Sequence, residues 1–106
     1  MNSDLAPGLV SLQVAFPRLI EEDVLDVCRS AADAPGFTLI AAEGFGVGAR
    51  LHTVRETVLG RAQRRLLVIV ATPDACARVV AALREALPSP EATYWILPVI
   101  EFGRLA

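Results

Sequence analysis

The segment "TYWILPVIEFGRL", residues 93–105, has a single charge, Glu101, and a single proline between Tyr94 and Phe102. Successive side chains of a strand point to opposite sides, so a strand with one solvated side alternates apolar and polar residues. In an extended chain the apolar residues here fall on both sides, with Trp95, Leu97 and Val99 on one and Tyr94, Ile96 and Ile100 on the other. Both sides of this strand therefore need a covering layer.

The pattern outside this segment alternates strands with helices. Residues 9–16 alternate, with Ser11 and Gln13 opposite the apolar positions, and residues 19–32 repeat apolar residues at helical spacing. Thr72 can cap a helix in which Pro73 takes the first position. The predicted elements are a strand at 9–16, a helix at 19–32, strands at 37–43 and 61–71, a helix at 72–87 and a strand at 92–102. We therefore predict a single α+β domain, residues 1–106, of the ferredoxin-like β-α-β-β-α-β type with a four-stranded antiparallel sheet.

Two helices on one face of such a sheet leave the other face open. We expect Leu67, Ile69 and one side of the strand from Tyr94 to Ile100 to lie on that open face. A contiguous exposed apolar surface is rare in a monomer. Cyclic assembly with further copies of the chain is the simplest way to cover it.

The composition excludes several classes of protein. The chain is 54% hydrophobic and 21% charged, with a net charge of -2, which argues against disorder and against general nucleic-acid binding. The first residues, "MNSDLAPG", lack a basic segment followed by an apolar one, so we expect no secretory signal and a cytoplasmic protein. Cys28 and Cys76 fall on the apolar stripes of the two helices, where we expect them to pack as small hydrophobic residues.

The connection formed by residues 44–60 contains the features that suggest binding. A connection of this length is usually functional or disordered, so we expect it to be mobile without a ligand or partner. Glycines 44, 46 and 48 could present backbone N–H groups to an anion, or serve only the backbone turn. Five arginines stand close together in an otherwise acidic chain, which suits either an anionic ligand or acidic partner, or a solvated surface: Arg50, Arg55, Arg61, Arg64 and Arg65.

Metal binding and catalysis are the two other kinds of chemistry for which the sequence offers candidate residues. His52 is the single histidine, and with Glu56 four residues later it could supply two metal ligands if that piece is helical. No nucleophile–base pair is apparent, and the paired carboxylates Glu21 and Glu22 are explained by a helix start. We therefore do not expect an enzyme.

Three segments carry a resemblance to a known superfamily. "EGFGVGARLH" (43–52) resembles the entry to the long T-loop of PII signalling proteins, and "LLVIVATPDACARVVAAL" (66–83) follows their strand, turn and second helix. "YWILPVIEFGRL" (94–105) resembles the last strand of a short PII-like family whose genes accompany heavy-metal efflux pumps. The chain departs from PII proteins at Val47, where they have arginine, and in having "PSPE" (88–91) in place of a phosphate loop.

The resemblance implies a homotrimeric signalling protein. It would hold an adenine nucleotide (ATP, ADP or AMP) between subunits and report to a membrane transporter or another partner through its T-loop, with Arg50 and Arg55 on the partner-binding loop. The loop base of one subunit would face the C-terminal end of its neighbour, which makes Gly44, Phe45, Gly46, Arg61 and Arg104 the candidate ligand site. The alternatives are a metal-binding accessory protein of an efflux system, with His52 and Glu56 as ligands, and a scaffold trimer that binds no ligand.

Overall fold

A computed structural model describes residues 8–31, 35–46 and 50–106 of the chain. Within these residues, no helix combines the length and the apolar character that crossing a bilayer requires. The elements, in chain order, are β1 (Val10–Pro17), a short 3-10 helix (Arg18–Ile20), α1 (Glu21–Ser30), β2 (Thr38–Gly44), α2 (Val54–Leu59), β3 (Ala62–Ala71), α3 (Pro73–Ala86) and β4 (Thr93–Pro98).

The four strands form one sheet in the order β2-β3-β1-β4. β1 pairs antiparallel with both β3 and β4, and β2 pairs antiparallel with β3. The helix α3 contacts β1 and β3 and also packs against α1, so both long helices lie on one face of the sheet. The predicted β-α-β-β-α-β arrangement is confirmed, with α2 as a small addition inside the connection between β2 and β3.

Local sequence explains where the long helices begin. Three acidic residues fill the first turn of α1, where they favour the positive end of the helix dipole. At the start of α3, the Thr72 hydroxyl accepts a hydrogen bond from the Ala75 N–H at 3.2 Å, and Pro73 follows as the first helical residue. Both cysteines are free and buried, and burial raises the pKa of the Cys28 and Cys76 thiols, as expected for core residues.

The prediction that Leu67 and Ile69 lie on the open face of the sheet is wrong. Leu12 pairs with Ile69 and Val14 with Leu67, so both β3 residues share the side of β1 that packs under the helices. Both are fully buried there. The core consists of Leu12, Val14, Phe16, Val24, Leu25, Cys28, Leu67, Ile69, Cys76, Val79 and Val80.

The side of the sheet away from the helices is still apolar, but other residues form it. The register places the odd-numbered residues of β1 and β4 and the even-numbered residues of β3 and β2 on this side. We call the open face the set Ser11, Gln13, Ala15, Thr38, Ile40, Leu66, Val68, Val70, Trp95 and Leu97. Trp95 is 40% exposed and Leu97 is 45% exposed, so much of their surface lacks a cover within the described chain.

The last strand is shorter than predicted and is exposed on both sides. β4 ends at Pro98, so Val99 and Ile100 lie beyond it, and the remaining residues up to 106 form no regular element. β4 is an edge strand, and its helix-facing side is also half exposed at Tyr94, where the Arg84 guanidinium lies 5.3 Å from the ring centre. The interpretation that both sides of this strand need a covering layer is consistent with this geometry.

Candidate functional site

The segment 50–60 is anchored by a capping box at the start of α2. The Thr53 hydroxyl accepts a hydrogen bond from the Glu56 N–H at 3.0 Å, while the Glu56 carboxylate accepts from the Thr53 N–H at 3.1 Å. Gly60 ends the helix with a φ of 70°, a left-handed conformation that glycine adopts without strain. The segment therefore contains one short helix, at Val54–Leu59.

Glu56 joins this segment to the sheet. Its Oε1 also accepts from the His52 N–H at 2.5 Å, and its Oε2 accepts from the Gln63 N–H in β3. The side chain is 3% exposed. The hydrogen bonds from the Gln63 and His52 backbones lower the pKa of the Glu56 carboxyl, because they favour its charged form. Glu56 is therefore a structural carboxylate that ties both ends of this small helix together.

His52 forms a second connection, to the start of β4. Its Nε2 lies 2.6 Å from Glu91 Oε2. The Arg64 guanidinium donates a hydrogen bond to the Glu91 carbonyl oxygen at 2.9 Å, so Glu91, two residues before β4, has contacts from both His52 and Arg64. The candidate partner loop thus contacts the turn that follows α3.

This geometry does not support the proposed metal pair. Both carboxylate oxygens of Glu56 already accept backbone hydrogen bonds, and His52 points to Glu91. Across residues 8–31, 35–46 and 50–106, no group of three or more potential metal-ligating side chains is present. His52 and Glu56 instead have a structural role that explains their spacing.

The candidate ligand residues near the start of the loop come together in part. Gly44 ends β2, Phe45 follows it and is exposed, and Gly46 has a φ of 93° that favours glycine. Arg61, just before β3, reaches back to β2, where its Nη1 lies 3.0 Å from Glu43 Oε1. The Arg61 guanidinium therefore lies beside the end of β2, where Gly44 is the last residue. Gly48, the third glycine of the expected anion nest, lies outside the described residues.

The other candidate residues do not join this group within one subunit. Arg104 lies in the exposed C-terminal segment, whereas Arg61 pairs with Glu43 at the end of β2. Arg50 and Arg55 are exposed, and Arg55 lines a cleft between α2 and the 3-10 helix together with Arg18. Arg65 pairs with Glu21 on α1 at 2.6 Å, so it fastens a helix to the sheet.

Sequence reasoning missed three of the residues that shape this region: Glu43, Gln63 and Glu91. The Thr-x-x-Glu spacing of residues 53–56 is the pattern typical of a capping box and could have indicated the role of Glu56. The contact between His52 and Glu91 joins residues 39 positions apart and carries no local signal.

The fold is shared with solved PII-like proteins. A PII-like nitrogen regulatory protein, CPII, from Thiomonas intermedia K12, solved with ADP, AMP and bicarbonate, aligns with a TM-score of 0.65 and 13% identity over 92% of this chain and 96% of that one. Arabidopsis thaliana PII, solved with citrate, aligns with a TM-score of 0.69 and 14% identity over 94% of this chain and 82% of that one. The fold is thus of the PII-like class.

The family follows from the sequence itself. A model for a family of proteins of unknown function, DUF3240, matches residues 6–106, and the chain belongs to this family. The crystal structure of a DUF3240 family protein from Shewanella baltica OS155 aligns with a TM-score of 0.73 and 21% identity over 95% of this chain and 100% of that one. No curated protein matches the sequence.

Proposed function

We propose that this chain is a ligand-sensing regulatory protein of the PII-like type, without catalytic activity of its own. It binds a small anionic ligand, an adenine nucleotide, and passes the signal to a partner through the segment between β2 and β3. The observation that carries this proposal is the position of Arg61 beside the end of β2, where Gly44 begins the glycine-containing segment. The same fold holds ADP, AMP and bicarbonate in the Thiomonas protein, which supports an anionic ligand here.

The proposed assembly is a homotrimer. The open face is apolar over much of its area, and β4 is exposed on both sides at the edge of the sheet. Closed cyclic assembly covers such a face with copies of itself and leaves no open end for further growth. In a trimer of the PII type, we expect the C-terminal segment of one subunit to face the loop base of another.

The proposed ligand site lies between subunits. Gly44, Phe45 and Gly46 of one copy offer backbone N–H groups, Arg61 of the same copy offers a guanidinium, and Arg104 of the neighbour offers a second one. Each charged hydrogen bond to a phosphate contributes on the order of 1.5–3 kcal/mol. Arg61 is paired with Glu43 in the free chain through one of its nitrogens, so a phosphate would compete with that carboxylate, and this competition would report ligand binding to the end of β2.

The proposed partner is a membrane transporter, which this protein would contact from the cytoplasm. A component of a heavy-metal efflux pump is one candidate. Arg50 and Arg55 are exposed on the segment that would make the contact, and their charge suits an acidic surface. The expected mobility of residues 44–60 stays a prediction. It covers residues 47–49, which lie outside the described residues, and α2, which is a capped helix fastened to β3.

Calorimetric titration with ATP, ADP and AMP tests the ligand site. We expect at least one of these nucleotides to bind, with an affinity lowered about 10-fold or more in Arg61→Ala and in Arg104→Ala, because each variant loses one charged hydrogen bond to phosphate. Arg78→Ala is the matched control, since Arg78 is an exposed arginine on α3, away from the loop.

Two results would count against the proposal. Nucleotide binding that is unchanged in both variants would remove this site. Binding of copper or zinc ions that is lost in His52→Ala, with no response to nucleotides, would instead favour the metal-binding alternative.

A further inference from the structure

The centre of the open face is polar although its surroundings are apolar. Gln13 lies on β1, opposite Val68 of β3 and opposite Trp95 of β4. Ser11 stands two positions earlier on the same side of β1 and is 9% exposed. Since β1 is an inner strand of the sheet, these two polar side chains lie in the middle of the face.

The two side chains form a short hydrogen-bonded chain with the indole. Trp95 Nε1 donates to Gln13 Oε1 at 2.9 Å, and Gln13 Nε2 donates to Ser11 Oγ at 3.4 Å. An indole nitrogen can only donate, so this contact determines which side of the Gln13 amide carries the oxygen. The tryptophan therefore holds the glutamine in a defined orientation at the surface.

These two hydrogen bonds leave part of the hydrogen-bonding capacity of Gln13 unused among the described residues. A glutamine amide has two N–H donors and an oxygen with two lone pairs, and a serine hydroxyl both donates and accepts. The contacts among the described residues use one donor and one lone pair of Gln13. Burial of the remaining groups under an apolar surface would leave them unsatisfied, which is costly, so whatever covers this face has to present polar groups at its centre.

We propose that further copies of this chain cover the face, and that the Gln13 amides of adjacent copies hydrogen-bond to each other and select the register and number of subunits, with Ser11 as the buried acceptor beneath Gln13. This inference rests on the proposed self-assembly. An amide is self-complementary, since its N–H group can donate to the oxygen of an identical amide. A rotation axis that runs beside Gln13 brings this residue of every copy together at the axis, which meets the requirement with no other component.

A polar centre allows an apolar interface to favour one register and one number of subunits, which apolar packing alone does not do. Aliphatic and aromatic side chains tolerate small shifts between subunits, whereas a shift that separates hydrogen-bonding partners leaves them buried and unpaired. A single polar residue in an apolar seam fixes register and subunit number in coiled coils in this way. We assign Gln13 the same role, to fix register and subunit number, in an interface formed by sheets.

Gln13→Met tests the proposal, because methionine has a similar length and shape but no hydrogen-bonding amide. Light scattering and native mass spectrometry measure the assembly. We expect one mass for the wild type, and for Gln13→Met at least two assembly masses at equal protein concentration. Thr38→Val is the matched control: it also replaces a polar residue of the open face, but on the outer strand β2, and should keep the single wild-type mass.

A second variant serves if Gln13→Met fails to fold. Trp95→Phe keeps an aromatic ring and removes the N–H that orients Gln13, so it should also produce more than one mass. A single wild-type mass in whichever of these two variants folds would overturn the inference. A wild type that is monomeric overturns both the inference and the proposed trimer, whereas a wild-type assembly of another size overturns the trimer alone.

Discussion

Glu56 shows how a single carboxylate can organise a connection of this kind. Its two oxygens accept backbone N–H groups from His52 and Thr53 on one side of α2 and from Gln63 on the other. Backbone donors that are shielded from water need such partners, since a buried unpaired N–H is costly. The position of α2 against the sheet therefore depends on the charge state of this side chain.

We expect Glu56→Gln to lower the melting temperature at neutral pH by about 5–10 °C, because an amide keeps one acceptor oxygen and turns an N–H group toward a backbone donor. The lowered pKa of Glu56 also sets the pH dependence. A carboxyl whose folded pKa is lowered stabilises the fold above its unfolded pKa, and this stabilisation is lost as the pH falls through the folded value. The difference between wild type and variant should therefore shrink in acid, as thermal unfolding followed by circular dichroism would measure.

Glu85→Gln provides the control for this experiment, since Glu85 is exposed near the end of α3. It should melt within about 2 °C of the wild type, as surface substitutions usually do. A Glu56→Gln variant whose melting temperature stays equal to that of the wild type from neutral pH to pH 3 would show that the carboxylate has no such role.

At the level of single elements, α3 was predictable because Thr72, Pro73 and the apolar spacing all agree, and the structure confirms them. β3 was predictable as a strand but not in its orientation. Its residues 66–71 are apolar throughout, so the sequence contains no alternation that would assign one side to the core. Only the pairing of Leu67 with Val14 decides that Leu67 is buried and Leu66 faces outward.

The contact between His52 and Glu91 joins the segment carrying α2 to the turn between α3 and β4. Its side chains are 28% and 16% exposed, so water weakens the interaction only in part. A double-mutant cycle with His52→Ala and Glu91→Gln should give a coupling free energy of about 0.5–1 kcal/mol. Chemical denaturation of the wild type, both single variants and the double variant measures it.

Amide hydrogen exchange measures independently whether the contact between His52 and Glu91 stabilises α2. In Glu91→Gln the amides of α2 should exchange faster than in the wild type, while those of α3 should not change, because α3 is capped by its own Thr72. Additive effects of the two substitutions, with unchanged exchange in α2, would mean that His52 and Glu91 do not hold these elements together.

At the scale of the whole molecule, the sequence predicted the order of the elements and the existence of an uncovered apolar face. It did not predict which residues form the face, because that depends on strand register, nor where a ligand site would be completed. Arg61 and Arg104 belong to opposite parts of one chain, and their proposed meeting requires a second subunit. Local patterns contain no information about such contacts.

Because Leu67 and Ile69 are buried in the core, a test of assembly needs a residue of the open face. Val68 lies on the open face, so Val68→Asp should shift the mass in light scattering to the 11.3 kDa monomer while the circular dichroism of the fold is kept. Burial of a carboxylate in an apolar interface strongly disfavours association. Ile69→Asp, one residue along, places the charge in the core and should unfold the chain.

Val58→Asp is the matched control for Val68→Asp, since Val58 is an exposed valine on α2, away from the open face. It should keep the wild-type mass. An unchanged mass in Val68→Asp would exclude the open face as the surface that holds the copies together.

The adjacent ends of β1 and β4 make this fold suited to circular permutation. Val10 pairs with Pro98, and the Val99 N–H donates to the Leu9 carbonyl oxygen at 3.4 Å, so the chain enters and leaves the sheet at neighbouring points. A short glycine-rich linker could join these points in a form that lacks the C-terminal segment with Arg104, and new termini could open in the turn between α3 and β4. Such a rearranged chain would keep every strand pairing while placing its free ends beside His52 and Glu91, where a fluorescent reporter could follow the contact directly.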